Sequence, residues 1–212
     1  MRLFIAEAIR RVSSMAGAIE GYEHPDLVEE IFRKTVSFEP NEAWPEMANV
    51  STVLDFGGAC GQHYKQARLS APDVRWAVVE TPAMVARASE LSTPNLRFFT
   101  SIAGAKEWLG DIDLVYSSGA LQYTSDPENK ITELCATSAR RISWERLILS
   151  PSGTKSEKQL SLLGENGPGL MHHFRGKAVK FNRILIPIDR FIVAHGKYRL
   201  IDRGSDWFKF VR

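Results

Sequence analysis

The residues of this chain best suited to chemistry are a glycine-rich turn and an acid that follows it. Thr52-Val53-Leu54-Asp55-Phe56 has the apolar run of a buried strand, and it ends in Gly57-Gly58-Ala59-Cys60-Gly61 before a helix that starts at Gln62. A strand that runs through a glycine turn into a helix lets a ligand approach bare backbone and helix N-terminal N–H groups. Nineteen residues after Gly61, Glu80 closes a second predicted strand, Arg75 to Glu80. An acid there can accept hydrogen bonds from both hydroxyls of a ribose.

The spacing separates two nucleoside cofactors. A nicotinamide dinucleotide asks for Gly-x-Gly-x-x-Gly, but counting from Gly57 meets Ala59 and Gln62, and counting from Gly58 meets Cys60 and His63. Neither register fits the fingerprint. Asp55, two places before Gly57, suits a cationic amino-acid moiety better than a pyrophosphate. S-adenosylmethionine carries a sulfonium and an amino acid, so an acid near the turn is electrostatically sensible.

Elements that position these residues follow from periodicity. Further strands are expected at Leu96 to Phe99, Asp113 to Ser117 and Arg146 to Ser150, with helices at Gln62 to Ser70, Pro82 to Leu91 and Pro127 to Ser138. Apolar strands alternating with helices predict a mostly parallel sheet covered on both faces. Pro187 to Gly196 reads as a helix, and Tyr198 to Ile201 with Trp207 to Val211 as an antiparallel hairpin at the sheet edge. Pro151 to Gly169 reads as a long loop of the kind that often serves a site. Upstream, residues 2 to 18 and Pro25 to Lys34 have helical spacing, and Phe38 to Pro45 reads as a loop.

Composition bounds the rest. A chain of 212 residues with 44% hydrophobic residues can bury its own core, and a formal charge of +2 gives no basic field for nucleic acid. Cys60 and Cys135 cannot make a disulfide framework, which suits a reducing cytoplasm. No apolar run reaches the ~18 residues of a membrane span, and Glu7 with Arg10-Arg11 makes the start a poor signal peptide. No Cys-x-x-Cys or His-x-x-x-His spacing points to a metal.

Together these residues resemble a class I S-adenosylmethionine-dependent methyltransferase. The likeness rests on Asp55 through Gly61, on Glu80, on Asp113-Leu114-Val115-Tyr116-Ser117-Ser118-Gly119-Ala120-Leu121-Gln122-Tyr123, and on Gly196-Lys197-Tyr198-Arg199-Leu200-Ile201. Gly21-Tyr22 with Asp55-Phe56-Gly57-Gly58 and Tyr64 is similar to a branch of bacterial methyltransferases often encoded among surface-polysaccharide genes. The resemblance implies a Rossmann-like three-layer α/β sandwich with a seven-stranded, mostly parallel sheet in the order 3-2-1-4-5-7-6. With the helical spacing upstream, the chain divides into an N-terminal helical cap over residues 1–48 and a cofactor-binding domain over 49–212. Asp55, Gly57, Gly58, Ala59, Gly61 and Glu80 would then hold S-adenosylmethionine, with Ser101 standing where the family often has an acid facing adenine. Ser117, Ser118, Gln122 and Tyr123, after the fourth strand, would border the transferred methyl as cofactor or acceptor contacts, with Ser118 on the cofactor and Gln122 a catalytic candidate; alternatively Leu121-Gln122-Tyr123 simply begins a helix.

A hydroxyl acceptor benefits from a general base, and His172 and His173 are the candidates, beside the plainer reading of a surface pair. Tyr22, His63 and Tyr64 are further candidates for the pocket, against ordinary packing. Arg140, Arg141 and Arg146 read as a solvated helix end, and Lys155, Lys158, Arg175, Lys177 and Lys180 as a basic segment that attracts an anionic acceptor or is solvated charge. The expected activity is methyl transfer to a small-molecule or glycan-precursor acceptor by a cytoplasmic enzyme. The alternative is a catalytically inactive binding or scaffold protein of the same fold.

Overall fold

The computed structural model describes residues 19–169 and 177–212. The helix expected over residues 2 to 18, and His172, His173 and Arg175, lie outside the described residues. Ten strands and six helices alternate along the described chain. They are β1 (Ile19–Glu20), α1 (Pro25–Val36), β2 (Thr52–Phe56), α2 (Gln62–Ala67), β3 (Arg75–Val79), α3 (Pro82–Ala88), β4 (Leu96–Phe99) and α4 (Ile102–Leu109). There follow β5 (Leu114–Ser118), α5 (Pro127–Cys135), β6 (Arg141–Glu145), β7 (Lys155–Leu162), β8 (Ala178–Leu185), α6 (Ile188–Ala194), β9 (Arg199–Arg203) and β10 (Phe208–Val211). No helix among them is long and apolar enough to cross a membrane.

Seven strands form one sheet in the order β4-β3-β2-β5-β6-β10-β9, which is 3-2-1-4-5-7-6 when only its own strands are counted. The first five run parallel, and β10 is antiparallel to both β6 and β9. Alternation along the strands assigns each side chain to a face. Val53, Trp76, Val78, Leu114 and Tyr116 meet α1, α2 and α3 on one side. Leu54, Ala77, Val79, Val115 and Trp144 meet α4, α5 and α6 on the other. Both faces are therefore packed, which is why the central strands carry nearly continuous apolar runs.

Helix boundaries follow local chemistry. Pro25 opens α1, the His24 ring accepts from the Asp26 N–H at 3.2 Å, and Leu27, Val28 and Ile31 are buried as their spacing predicts. Asp126 caps α5 by accepting from Asn129 N–H at 3.1 Å. Ser101 caps α4, a helix the sequence reading did not anticipate.

Three expectations need correction. The fifth strand is Arg141–Glu145, not Arg146 to Ser150. Ile142 and Trp144 alternate with half-buried neighbours and pair with both β5 and β10, whereas Arg146 adopts a φ of 49° that ends the ladder. The apolar run Leu147-Ile148-Leu149 misled because it lies in a loop, with Ile148 exposed. Secondly, Arg140, Arg141 and Arg146 do not end a helix, since α5 stops at Cys135 and Arg141 begins β6. Thirdly, the expected loop Pro151 to Gly169 contains β7, which pairs antiparallel with β8 from Lys155↔Leu185 to Leu162↔Ala178. With β1 alongside β8, these strands make a second sheet, order β1-β8-β7. Its exposed Lys155, Glu157 and Lys158 gave no apolar signal on the outer half of β7.

Candidate active site

At the carboxyl ends of β2, β3 and β5 the chain encloses a cavity of about 820 Å³. The glycine turn forms its floor. Gly57 and Gly61 have φ of 72° and 85°, and Ala59 has 50°, so the peptide groups fold back on themselves without large side chains in the way. A Cβ at Gly57 would lie 2.1 Å from that of Ala120, so only glycine lets the β2 and β5 termini approach this closely. Gly58 is tight for a different reason. A Cβ there would sit 2.2 Å from Asp55 Oδ2.

Glu80, just beyond β3, couples the acid to the turn. Its Oε1 accepts from Ala59 N–H at 3.1 Å and its Oε2 from Thr81 N–H at 2.9 Å. Burial pushes the Glu80 carboxyl above the ordinary carboxylate range, against the pull of those two backbone N–H groups. Each oxygen keeps further lone-pair capacity toward the cavity, which Glu80 lines.

Of the residues expected to hold a cofactor, Gly57, Gly58, Ala59, Glu80, Ser101 and Ser118 line the cavity, and so does Gln122. Gly61 instead caps α2 against Leu96. Asp55 is completely buried behind Gly58, on the packed face of the sheet. Its Oδ2 accepts from Trp76 Nε1 at 3.1 Å and faces His63 Nδ1 at 3.1 Å, while Oδ1 has no hydrogen-bond partner among the described residues. With the carboxylate oxygen accepting, His63 Nδ1 is the donor of this pair. His63 itself lines the cavity, edge-on to Tyr116 with ring centroids 5.0 Å apart. The structure thus puts the histidine, rather than the acid, on the cavity wall. The period of two along β2 carries this signal: Asp55 shares a face with Val53, and that face is filled by core.

Tyr22 and Tyr64 part company. Tyr64 packs in the core against Trp76. Tyr22 lines the cavity, stacked on Phe181 at 4.4 Å and edge-on to Tyr123 at 5.3 Å. Tyr123 donates to Gln159 Oε1 at 2.6 Å, tying the segment after β5 to β7 of the second sheet. Leu121–Tyr123 is a single 3₁₀ turn rather than the start of a longer helix. Cys60 is buried, and burial pushes its thiol up to about 12, which removes it as a nucleophile at neutral pH.

Arg146 carries no site signal in the sequence, where the apolar run Leu147-Ile148-Leu149 reads as a strand that begins with it. It lines the cavity, with Nε donating to Ser118 Oγ at 2.9 Å and a terminal nitrogen donating to Ser118 O at 3.3 Å. Gln122, itself buried, donates from Nε2 to the Arg146 carbonyl at 3.4 Å, and its Oε1 has no partner among the described residues.

No protein-family model matches the sequence, and no curated protein matches it. Among solved structures, the chain is similar to the sugar N-methyltransferase KedS8 from Streptoalloteichus sp., with a TM-score of 0.50 and 14% identity over 89% of this chain and 87% of that one. It is similar as well to an S-adenosylmethionine-dependent methyltransferase from Mesorhizobium loti, with a TM-score of 0.50 and 11% identity over 80% of this chain and 94% of that one. At these identities the likeness is one of fold: the chain has the Rossmann-like fold of class I S-adenosylmethionine-dependent methyltransferases.

Proposed function

We propose that the protein binds S-adenosylmethionine in this cavity and catalyses transfer of its methyl group to a small-molecule or glycan-precursor acceptor. The observation that carries the reading is the Glu80 carboxylate hydrogen-bonded to the backbone of the glycine turn at the cavity wall. That arrangement fits a nucleoside with an amino-acid tail: backbone N–H groups and His63 for the tail, and carboxylate oxygens for two ribose hydroxyls. The fold shared with methyltransferases supports it.

When bound, the sulfonium supplies an electrophilic methyl and leaves as S-adenosylhomocysteine. The chain's part is to orient the two reactants and exclude water. In this reading Gly57, Gly58, Ala59 and Glu80 hold the donor, Asp55 and Gly61 brace the turn from behind, Ser101 faces adenine, and Ser118 and Gln122 face the acceptor. His172 and His173 are proposed as bases for a hydroxyl acceptor. Residues 1–48 are proposed as a cap on the 49–212 domain. What supports the cap is α1, which Arg87 of α3 holds by its bond to Glu29 at 2.7 Å and its stacking over Phe32. A cytoplasmic setting, and a role in polysaccharide biosynthesis, belong to the same proposal.

One observation favours a second reading, a binding protein that has lost catalysis. Ser101 Oγ is engaged in accepting from Gly104 N–H at 3.2 Å, and no acid stands beside it to meet the adenine amino group. Calorimetric titration with S-adenosylhomocysteine separates the readings. Saturable one-to-one binding, weakened in Glu80→Ala, supports the methyltransferase; absence of binding at millimolar ligand favours the scaffold.

A further inference from the structure

We propose that Arg146 and Gln122 form an anchor for the acceptor, and that the acceptor carries a carboxylate or phosphate next to a hydroxyl or amine. The inference rests on the methyl-transfer reading and names the substrate class of the same cavity.

The guanidinium has two hydrogen-bonding edges. Its Nε edge is spent on Ser118, with both Oγ and the carbonyl accepting. The opposite edge, formed by the two terminal nitrogens, has the fork geometry that matches the two oxygens of a carboxylate or phosphate. No carboxylate of the described residues makes an ion pair with Arg146, whereas Arg87 pairs with Glu29, Arg183 with Glu157, and Arg190 with Glu128. Arg146, an exposed residue, is thus a positioned cation on the cavity wall without an ion-pair partner among the described residues.

Its placement is specific. The backbone at Arg146 sits at φ 49°, a conformation that L-residues other than glycine avoid and that recurs at functional sites. The side chain then lies across Gly119, where a Cβ would come within 3.4 Å of it. Beside it, Gln122, another residue of the cavity lining, spends its Nε2 on the Arg146 carbonyl and leaves a buried Oε1 without a partner among the described residues. A buried amide oxygen without a hydrogen bond is costly unless a ligand donor completes it. Donor fork and orphaned acceptor therefore call for complementary groups on one molecule: an anion for Arg146 and an O–H or N–H for Gln122.

The test uses the full chain saturated with S-adenosylhomocysteine and titrated with D-glucose, D-glucuronate and D-glucose 6-phosphate, which differ chiefly in the anion. The anionic sugars should bind saturably and at least about tenfold more tightly than glucose, as a fork to an ionised group implies. Arg146→Gln should bring them down to the glucose level. Arg146→Lys should fall between, because an ammonium keeps the charge and loses the fork. Gln122→Leu should weaken all three. Equal binding of glucose and its anionic counterparts, unchanged binding in Arg146→Gln, or no saturable binding of either anion up to about 50 mM would overturn the anchor. Binding of S-adenosylhomocysteine is measured first on its own. If the parent does not take it up, the donor reading fails separately, and the same titrations on the free protein still decide whether Arg146 captures an anion.

Discussion

Asp55 Oδ2 and His63 Nδ1 lie 3.1 Å apart, with the acid wholly buried and the imidazole on the cavity wall. The pair ties a buried acid to the wall of the site: bound through Nδ1–H, the ring turns Nε2 to Gln62, whose side-chain amide donates to it at 3.3 Å. An α-ammonium that displaces the Gln62 amide would take the same acceptor.

His63→Ala should therefore weaken S-adenosylhomocysteine by the worth of a charge-assisted hydrogen bond, about 1.5–3 kcal/mol. It should leave 5′-methylthioadenosine, which lacks the amino-acid end, almost unaffected. Calorimetry with the two ligands checks this, and equal losses for both would place His63 elsewhere in the binding scheme.

Gly58→Ala tests the wall between them. The added methyl would meet the Asp55 carboxylate at 2.2 Å, and Trp76 and His63 hold that carboxylate in place. Overpacking of this kind costs about 1–3 kcal/mol, so the denaturation midpoint should fall and donor binding should fall with it. A variant as stable as the parent would mean that Asp55 can turn away.

Glu80 should make donor affinity depend on pH. Its carboxyl is raised above the usual range, so the free protein holds the proton at pH values where an exposed glutamate has lost it. Ribose hydroxyls donate to the ionised form. Affinity for S-adenosylhomocysteine should thus fall as pH drops through the raised value and level off above it, and Glu80→Gln should bind weakly with no such slope. The same shift acts oppositely on the free protein: the stability present with Glu80 protonated is lost as pH rises through its folded value.

His195 should govern acid stability. It is completely buried, accepts from Trp144 Nε1 at 2.8 Å, bonds the Phe191 carbonyl through Nδ1 at 2.7 Å, and stacks on Phe210. Burial lowers its pKa from 6.5 to about 4, so between those values the unfolded chain takes a proton that the folded one refuses. The stabilisation is complete above pH 6.5 and is lost as pH falls toward 4, by about 3 kcal/mol in all. Urea titrations across that window should show the slope in the parent and a flatter one in His195→Gln.

The sequence by itself determined the elements whose signals are local. Hydrophobic runs marked β2, β3 and β5, proline marked most of the helix starts, and the glycine turn with Glu80 marked the end of the sheet where a ligand fits. These signals survive because backbone conformation and two-sided burial are written into neighbouring residues. Tertiary structure alone decided what depends on residues far apart in the chain. It turned Asp55 into the core, where Trp76 receives it, paired β7 with β8, and brought Arg146 onto Ser118, 28 residues away in sequence. β6 was misplaced because its cue is alternation against two partner strands, and a loop supplied the longer apolar run. A side chain's type is local, but the face it occupies and the partner that spends its hydrogen bonds are properties of the packed sheet.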